Sequence, residues 1–267
     1  MPVYYDQMNR RVELPSIPKR IISIVPSQTE LLFDLGLDDE IIGITKFCIH
    51  PADKVRPKTK VGGTKTVDIE LVKKLNPDLI IGNKEENERS QVEELMQLFP
   101  VWMSDIADLT GASDMILKVG EMVGKRDKAE TLGNKINQQF DNLTIQQSNL
   151  RVAYLIWRKP YIVAGKGTFI DAMLQKCGLN NVFDIDRYPE VTNEMLIQAK
   201  PDVILLSSEP YPFKEKHISE FKTILPNAVI KLVDGELFSW YGSRLMHAPG
   251  YFSDLMQGIN NQCNQII

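Results

Sequence analysis

The stretch VDIELVKKLNPDLIIG, Val67 to Gly82, is written a second time as VTNEMLIQAKPDVILLS, Val191 to Ser207. Aligned, Val67 meets Val191, Glu70 meets Glu194, Pro77 meets Pro201, Asp78 meets Asp202 and Ile80 meets Ile204. Apolar residues match at Leu71/Met195, Val72/Leu196, Leu79/Val203 and Ile81/Leu205. Each copy opens on a residue suited to cap a helix, Asp68 in one and Thr192 with its neighbour Asn193 in the other. A proline then closes the helix. The residue before a proline is pushed out of helical geometry, so Asn76 and Lys200 are expected to end their helices. The apolar run that follows suits a strand buried on both faces of a parallel sheet. Chance recurrence of a common helix–Pro–Asp–strand phrase is the competing explanation; the aligned grammar favours duplication.

Outward from the first copy, RIISIV reads as a buried strand and PSQTELLFDLGL as a loop entering a helix that Gly36 ends. IIGIT and VWMS read as strands around a helix in EENERSQVEELMQLF. Strands alternating with helices of this length indicate parallel βα units, assigned to an N-terminal lobe over 18–108. Residues 109–149 carry no strand signal. Within them Ala129, Leu132, Ile136 and Phe140 recur at helical spacing without proline, which predicts one rigid helix near 127–147, about 30 Å long at the usual rise. Alternation resumes over 150–267 with RVAYLI, YIVAG, TFIDAMLQKCG, NVF, the second copy, EKHISEFKTIL, VIKLV and PGYFSDLMQGINNQ. The fold class is α/β, with two lobes of parallel sheet joined by a single long helix.

A chain of 267 residues sits where one domain commonly becomes two. Its formal charge of −4 is spread over interspersed signs, which excludes a basic footprint for nucleic acid. No apolar run approaches the roughly 18 residues of a membrane span, and the first 20 residues lack the apolar core of a signal peptide. A soluble protein follows, either cytoplasmic or exported by a signal lying outside this chain. Cys48, Cys177 and Cys263 show neither CxxC nor zinc-finger spacing.

No GxGxxG, Walker loop, HExxH or GxSxG occurs, so no cofactor and no catalytic residues are assigned. AGKGT, Ala164 to Thr168, lacks phosphate-loop spacing and reads as a turn entering a helix. Unusual residues collect instead after the strands, where open α/β sheets bind ligands. Phe47 and His50 follow IIGIT; Asn83 and Lys84 end LIIG; Trp157, Arg158 and Tyr161 follow RVAYLI. Tyr211 follows VILLS, and Trp240, Tyr241 and Arg244 follow VIKLV. The aromatic rings supply broad apolar walls, and Lys84, Arg158 and Arg244 are able to pair with carboxylate or phosphate. His50 either shapes a turn beside Pro51 or faces a ligand as a metal-binding imidazole. His247 is a second metal candidate, and His217 is expected on a helix surface. Glu85, Glu86 and Glu88 suit a solvated helix start.

Taken in order, the strand with PSQTELLFDLG, VGG, NPDLII, the long helix, GKGTFIDAMLQKCGLNNVF and AKPDVILL resemble the substrate-binding proteins of ABC importers for metal chelates. The cobalamin-binding branch is nearest, with ferric-siderophore and haem receptors as cousins. The resemblance covers about Arg20 to Gln262. It implies two Rossmann-like lobes on a rigid helical backbone, and a corrinoid or ferric siderophore held between them and delivered to an ABC permease by a monomeric, periplasmic or cell-surface receptor. Glu70 and Glu194 fall on the family's two permease-docking glutamates. Tyr188 falls near a cleft aromatic of the cobalamin branch, whereas His50 and Asn83 stand where that branch has tyrosine and tryptophan. Cys177 and Cys263 fall where it has cysteines able to form a disulfide. An alternative from another class is a cytoplasmic tetrapyrrole chelatase, with His50 and Glu85 or Glu86 taking protons from ring nitrogens.

Overall fold

In the computed structural model, which describes residues 2–145 and 148–266, the two copies of the repeated phrase fold alike. The first forms α3 (Ile69–Leu75) and β6 (Leu79–Asn83), and the second forms α8 (Asn193–Ala199) and β12 (Val203–Ser207). The Asp68 side chain accepts from the Leu71 N–H, and the Thr192 hydroxyl from the Met195 N–H. Asn76 and Lys200 both close their helices in the left-handed region, at φ 44° and 46°. Neither is glycine, so the same unfavourable conformation is held at both matched positions.

The aspartate after the proline has the same work in each copy. Asp78 accepts from the N–H groups of Lys19 and Arg20 at 2.7 and 2.9 Å, and Asp202 accepts from the N–H of Arg151 at 2.8 Å. In return the Asp78 N–H donates to the Arg20 carbonyl, and the Asp202 N–H to that of Arg151. The two arginines then reach back to the helix end: Arg20 donates to the carbonyls of Leu75 and Asn76, Arg151 to that of Ala199. Each arginine thereby satisfies carbonyls that a helix C-terminus leaves without intrahelical partners. Structural duplication thus extends beyond the repeated letters to Arg20 and Arg151.

The remaining elements in chain order are β1 (Val3–Tyr5), β2 (Arg11–Glu13), β3 (Ile21–Ser23), α1 (Pro26–Asp34), β4 (Ile41–Ile44), α2 (Ala52–Val55) and β5 (Thr59–Lys60). After β6 come α4 (Arg89–Met96), β7 (Val101–Ser104), α5 (Leu109–Met122) and α6 (Arg126–Asp141). Then follow β8 (Arg151–Trp157), β9 (Tyr161–Val163), α7 (Phe169–Lys176), β10 (Asn180–Asn181) and β11 (Glu190–Val191). After β12 the chain forms α9 (Glu215–Ile224), β13 (Val229–Val233), α10 (Gly235–Ser239), a 3-10 turn (Ser243–Met246) and α11 (Ala248–Ile266).

The chain divides into two compact units. The first holds Met1–Ile106, Thr110–Asn137 and Tyr241–Arg244; the second holds Ala107–Leu109, Gln138–Trp240 and Leu245–Ile267. The short segment Tyr241–Arg244 therefore packs with the first unit, although the sequence places it within the C-terminal lobe. In the first unit the strands run in the order β5-β4-β3-β6-β7, every neighbouring pair parallel. Ile22, Ile24, Val72, Ile80 and Leu95 are fully buried in the core cluster around this sheet. Burial of each such side chain contributes about 1.5–3 kcal/mol.

The second unit's sheet, β11-β9-β8-β12-β13 with β10 beside β8, is mixed rather than purely parallel. β8 pairs parallel with β12, but β9 pairs antiparallel with both β8 and β11. The turn of Arg158, Lys159 and Pro160 is too short for a parallel crossover, which needs a dozen or more residues. The long helix is shorter than expected. α6 ends at Asp141, and 142–145 are not helical; the last two residues of the expected span, 146 and 147, lie outside the described residues. The final turn tightens as the Leu143 N–H bonds the Phe140 carbonyl, and Asp141 and Asn142, followed by β-branched Thr144 and Ile145, favour leaving the helix. Among the described residues no helix is long and apolar enough to cross a membrane.

Candidate functional site

At the carboxyl edge of the first sheet, β6 ends on Asn83, which is buried at 1% exposure. Its side-chain oxygen accepts from the N–H groups of Glu85 and Glu86, and its amide donates to the Ser104 hydroxyl at 2.9 Å. Asn83 therefore shapes the loop that carries Glu85 and Glu86. The Glu86 carboxylate accepts from the Tyr241 hydroxyl at 2.6 Å. Beside it in the chain, Lys84 pairs with Asp105 at 2.6 Å.

The segment Tyr241–Arg244 is fixed by three further bonds. Arg244 grips Glu30 of α1 through Nε and Nη2 at 2.9 and 2.6 Å, each side chain only 15% exposed. The Ser243 hydroxyl donates to Asp34. Burial raises the Glu30 pKa, the Arg244 pair opposes it, and the net shift is upward. His50, in the loop after β4, is close enough to favour the ionised Glu30. Phe47 in the same loop is 51% exposed, with the Lys46 ammonium 5.2 Å from its ring centre. That loop is held by the Lys46 N–H bond to the Gly62 carbonyl at 2.8 Å. Gly62 sits at φ +104°, where a Cβ would stand 2.3 Å from the Thr66 carbonyl oxygen, so VGG needs glycine there.

In the second unit, Trp157, Arg158, Tyr161 and Tyr211 come together. Trp157, 39% exposed, lies edge-on to Tyr211 with ring centres 5.8 Å apart, and Tyr211 in turn packs on Phe213 and His217. Such pairs contribute about 0.5–1.5 kcal/mol beyond their buried area. Arg158 binds Glu220 of α9 at 2.9 Å, and the Tyr161 hydroxyl donates to the same carboxylate at 2.5 Å. Burial disfavours ionised Glu220, but the bonds from Arg158 and Tyr161 prevail and hold its carboxyl below the ordinary value. Burial and Glu220 together push the Tyr161 phenol up to about 12. Glu209, after β12, accepts from the Trp240 indole at 3.0 Å and from the Ser239 hydroxyl at 2.5 Å; burial raises its pKa. Tyr188 lies half-buried just before β11.

Several expectations are corrected. His217 is buried at 2% exposure, not on a helix surface. It sits one turn before buried Phe221 on the inner face of α9; its Nδ1 accepts from the Lys214 N–H at 2.8 Å, and burial, then Arg158, lower its pKa. His247 is exposed and lines a separate groove of about 520 Å³ with Gln139, Asn142 and Ser253. Among the described residues no three histidine, cysteine, aspartate or glutamate side chains gather to hold a metal ion. Cys177 and Cys263 are free, as is Cys48; Cys177 is fully buried, and burial pushes its thiol up. AGKGT is a packed turn: the Gly165 N–H bonds the Arg187 carbonyl, and a Cβ there would strike the Ile185 carbonyl.

Glu70 and Glu194 stand exposed in the first turns of α3 and α8. Glu70 carries an ion pair with Lys73 at 2.8 Å. Glu194, held below the ordinary carboxylate value by the Thr192 hydroxyl, borders a groove of about 380 Å³ lined by Lys159, Pro160 and Tyr161. The sequence reading missed Glu30, Glu209 and Glu220, the carboxylates that occupy its candidate donors. Their partners lie far off in sequence, and no local spacing announces the pairing.

The sequence pattern of the family described as periplasmic binding protein matches residues 21–225. A vitamin B12-binding protein of Vibrio cholerae serotype O1 is 26% identical over 199 residues, 72% of either chain. The ABC transporter substrate-binding lipoprotein YvrC of Bacillus subtilis is 27% identical over 213 residues, 75% of this chain and 67% of its own. Among solved structures, the periplasmic vitamin B12-binding protein BtuF of Vibrio cholerae superposes with a TM-score of 0.79 at 21% identity, covering 92% of this chain and 99% of that one. The periplasmic heme-binding protein RhuT of Roseiflexus sp. RS-1 gives 0.77 at 20% identity with the same coverage.

Proposed function

We propose, from the premise that the chain belongs to the periplasmic binding protein family, that it is the substrate-binding receptor of an ABC importer and carries one metal chelate to its permease. The family match over residues 21–225 is the observation that carries this reading. Relatives named for vitamin B12 and heme binding support a tetrapyrrole or related chelate as ligand. A relative named as a lipoprotein supports work outside the cytoplasm. The role is recognition without turnover: the relatives are named for binding, and the Glu86 carboxylate that a chelatase would use as a base is engaged by Tyr241.

The residues proposed to touch the ligand are those of the strand-end loops. Phe47, Trp157, Tyr161, Tyr188 and Tyr211 offer aromatic surface, whereas Trp240 and Tyr241 are buried at 7% and 6% exposure, and His50 offers a single imidazole as hydrogen-bond donor or axial ligand. A chelate brings its metal already enclosed, so no cage of protein ligands is required. Lys84, Arg158 and Arg244 act by bracing these loops. Glu70 and Glu194 are the proposed docking points for the permease, since exposed carboxylates give an oriented and readily reversible contact with a basic surface. The receptor acts as a monomer.

Titration of the purified protein with cyanocobalamin and with ferric hydroxamate chelates, followed by tryptophan fluorescence, tests the reading. The expected result is saturation at one ligand per chain, with the ligand recovered unchanged. Repeated metal insertion into a porphyrin, or no binding of any chelate, would overturn it.

A further inference from the structure

We infer that the ligand is electroneutral, a chelate whose periphery carries amides or hydroxamates and no ionised acids. This rests on the receptor reading and narrows its substrate class. The cations at the strand ends that suit an anionic ligand are already matched to carboxylates: Arg158 to Glu220 at 2.9 Å, Arg244 to Glu30 at 2.6 Å and Lys84 to Asp105 at 2.6 Å. A guanidinium bonded to carboxylate presents no net charge to a third group. An anion would have to displace a partner that is itself fixed, Glu30 by two bonds from Arg244 and Glu220 by a second bond from Tyr161.

The neutral donors of these loops are committed in the same direction. The Tyr241 hydroxyl donates to Glu86, and the Trp240 indole and Ser239 hydroxyl donate to Glu209. Lys46, Lys65 and Lys159 keep their charges in these loops, and the carboxylates of Glu85, Glu86 and Glu209 stand against them. A polyanion meeting strand-end cations that are already matched loses its hydration and gains little compensating field. Apolar rings set among satisfied polar groups suit a large uncharged ligand, for which area burial and amide hydrogen bonds supply the affinity.

The experiment compares four probes on the full chain: cyanocobalamin, a neutral ferric trihydroxamate, a ferric tris-catecholate bearing three negative charges, and haemin with its two propionates. At least one neutral probe should bind about tenfold or more tighter than either anionic one, with an affinity that changes less than about twofold between roughly 0.05 and 0.5 M salt. In Glu220→Gln, which releases Arg158 from its counter-charge, the tris-catecholate should gain about tenfold while the neutral probe stays within about threefold. An anionic probe that binds the unaltered protein as tightly as the best neutral one, or no gain in Glu220→Gln, would overturn the inference and leave the receptor reading standing. Failure of all four probes to bind would instead overturn the receptor reading.

Discussion

Replacing Glu30 with alanine should destabilise the first unit more than any surface charge change, because it removes the carboxylate that Arg244 grips in a largely buried setting. The pair makes two bonds at 2.9 and 2.6 Å with each side chain 15% exposed. Breaking a fully buried pair costs about 3–5 kcal/mol. The residual exposure lets water relieve part of that, so the expected loss is about 2–3 kcal/mol. With a urea dependence of about 2–3 kcal/mol per M, the unfolding midpoint should fall by roughly 1 M. The double variant Glu30→Ala/Arg244→Met removes both charges of the pair and should recover to within about 1 kcal/mol of the unaltered protein. As a reference, Glu93→Ala breaks an exposed pair with Arg89, whose side chains are 88% and 55% exposed for Arg89 and Glu93; its cost should stay near 0.5 kcal/mol or below, roughly. Urea unfolding followed by circular dichroism reads the unaltered protein, these three variants and the single variant Arg244→Met. The reasoning fails if Glu30→Ala loses less than about 0.5 kcal/mol, or if the double variant falls by the sum of the two single changes. In either case Arg244 would be available to a ligand, and its assignment as a brace would be wrong.

Lys200→Gly should stabilise the second unit by about 1 kcal/mol, since Lys200 holds φ 46° without glycine's freedom; Asn76→Gly should gain less, because asparagine tolerates that region better, and both are read from unfolding midpoints. Phe252→Ala, at a fully buried ring 4.8 Å from that of Phe238, should cost about 3–5 kcal/mol in the same assay. Burial holds the His217 pKa below its ordinary 6.5. Below that pH the unfolded chain takes up a proton the folded one resists, so stability present above about 6.5 is lost as pH falls toward the folded value. His217→Gln should flatten that slope in unfolding measured across the window.

The repeated phrase was legible because its signals are local. A cap, a proline and an apolar run specify helix, stop and buried strand within a few residues, and the structure keeps every one of them at 69–83 and 193–207. The arginines that complete each copy were not legible, since Arg20 and Arg151 lie outside the phrase and act across adjacent strands. The antiparallel β9 is decided by a three-residue turn, and apolar patterning does not distinguish strand direction. His217 shares the inner face of α9 with Phe221, a spacing of four that outweighs the residue's polarity. At the strand ends the residue types were readable but their commitments were not. Arg158 meets Glu220, and Arg244 meets Glu30, only once the chain is folded.

Whether this chain hands a chelate to a permease is read most plainly by import. Cells lacking the chain are given labelled cyanocobalamin or labelled ferric trihydroxamate, then complemented with the unaltered protein or with Glu70→Ala/Glu194→Ala. Import of the bound chelate should be lost without the chain, return with the unaltered protein, and stay low with the double variant although its ligand affinity is unchanged. Import at the full rate without the chain, or with both glutamates removed, would contradict it.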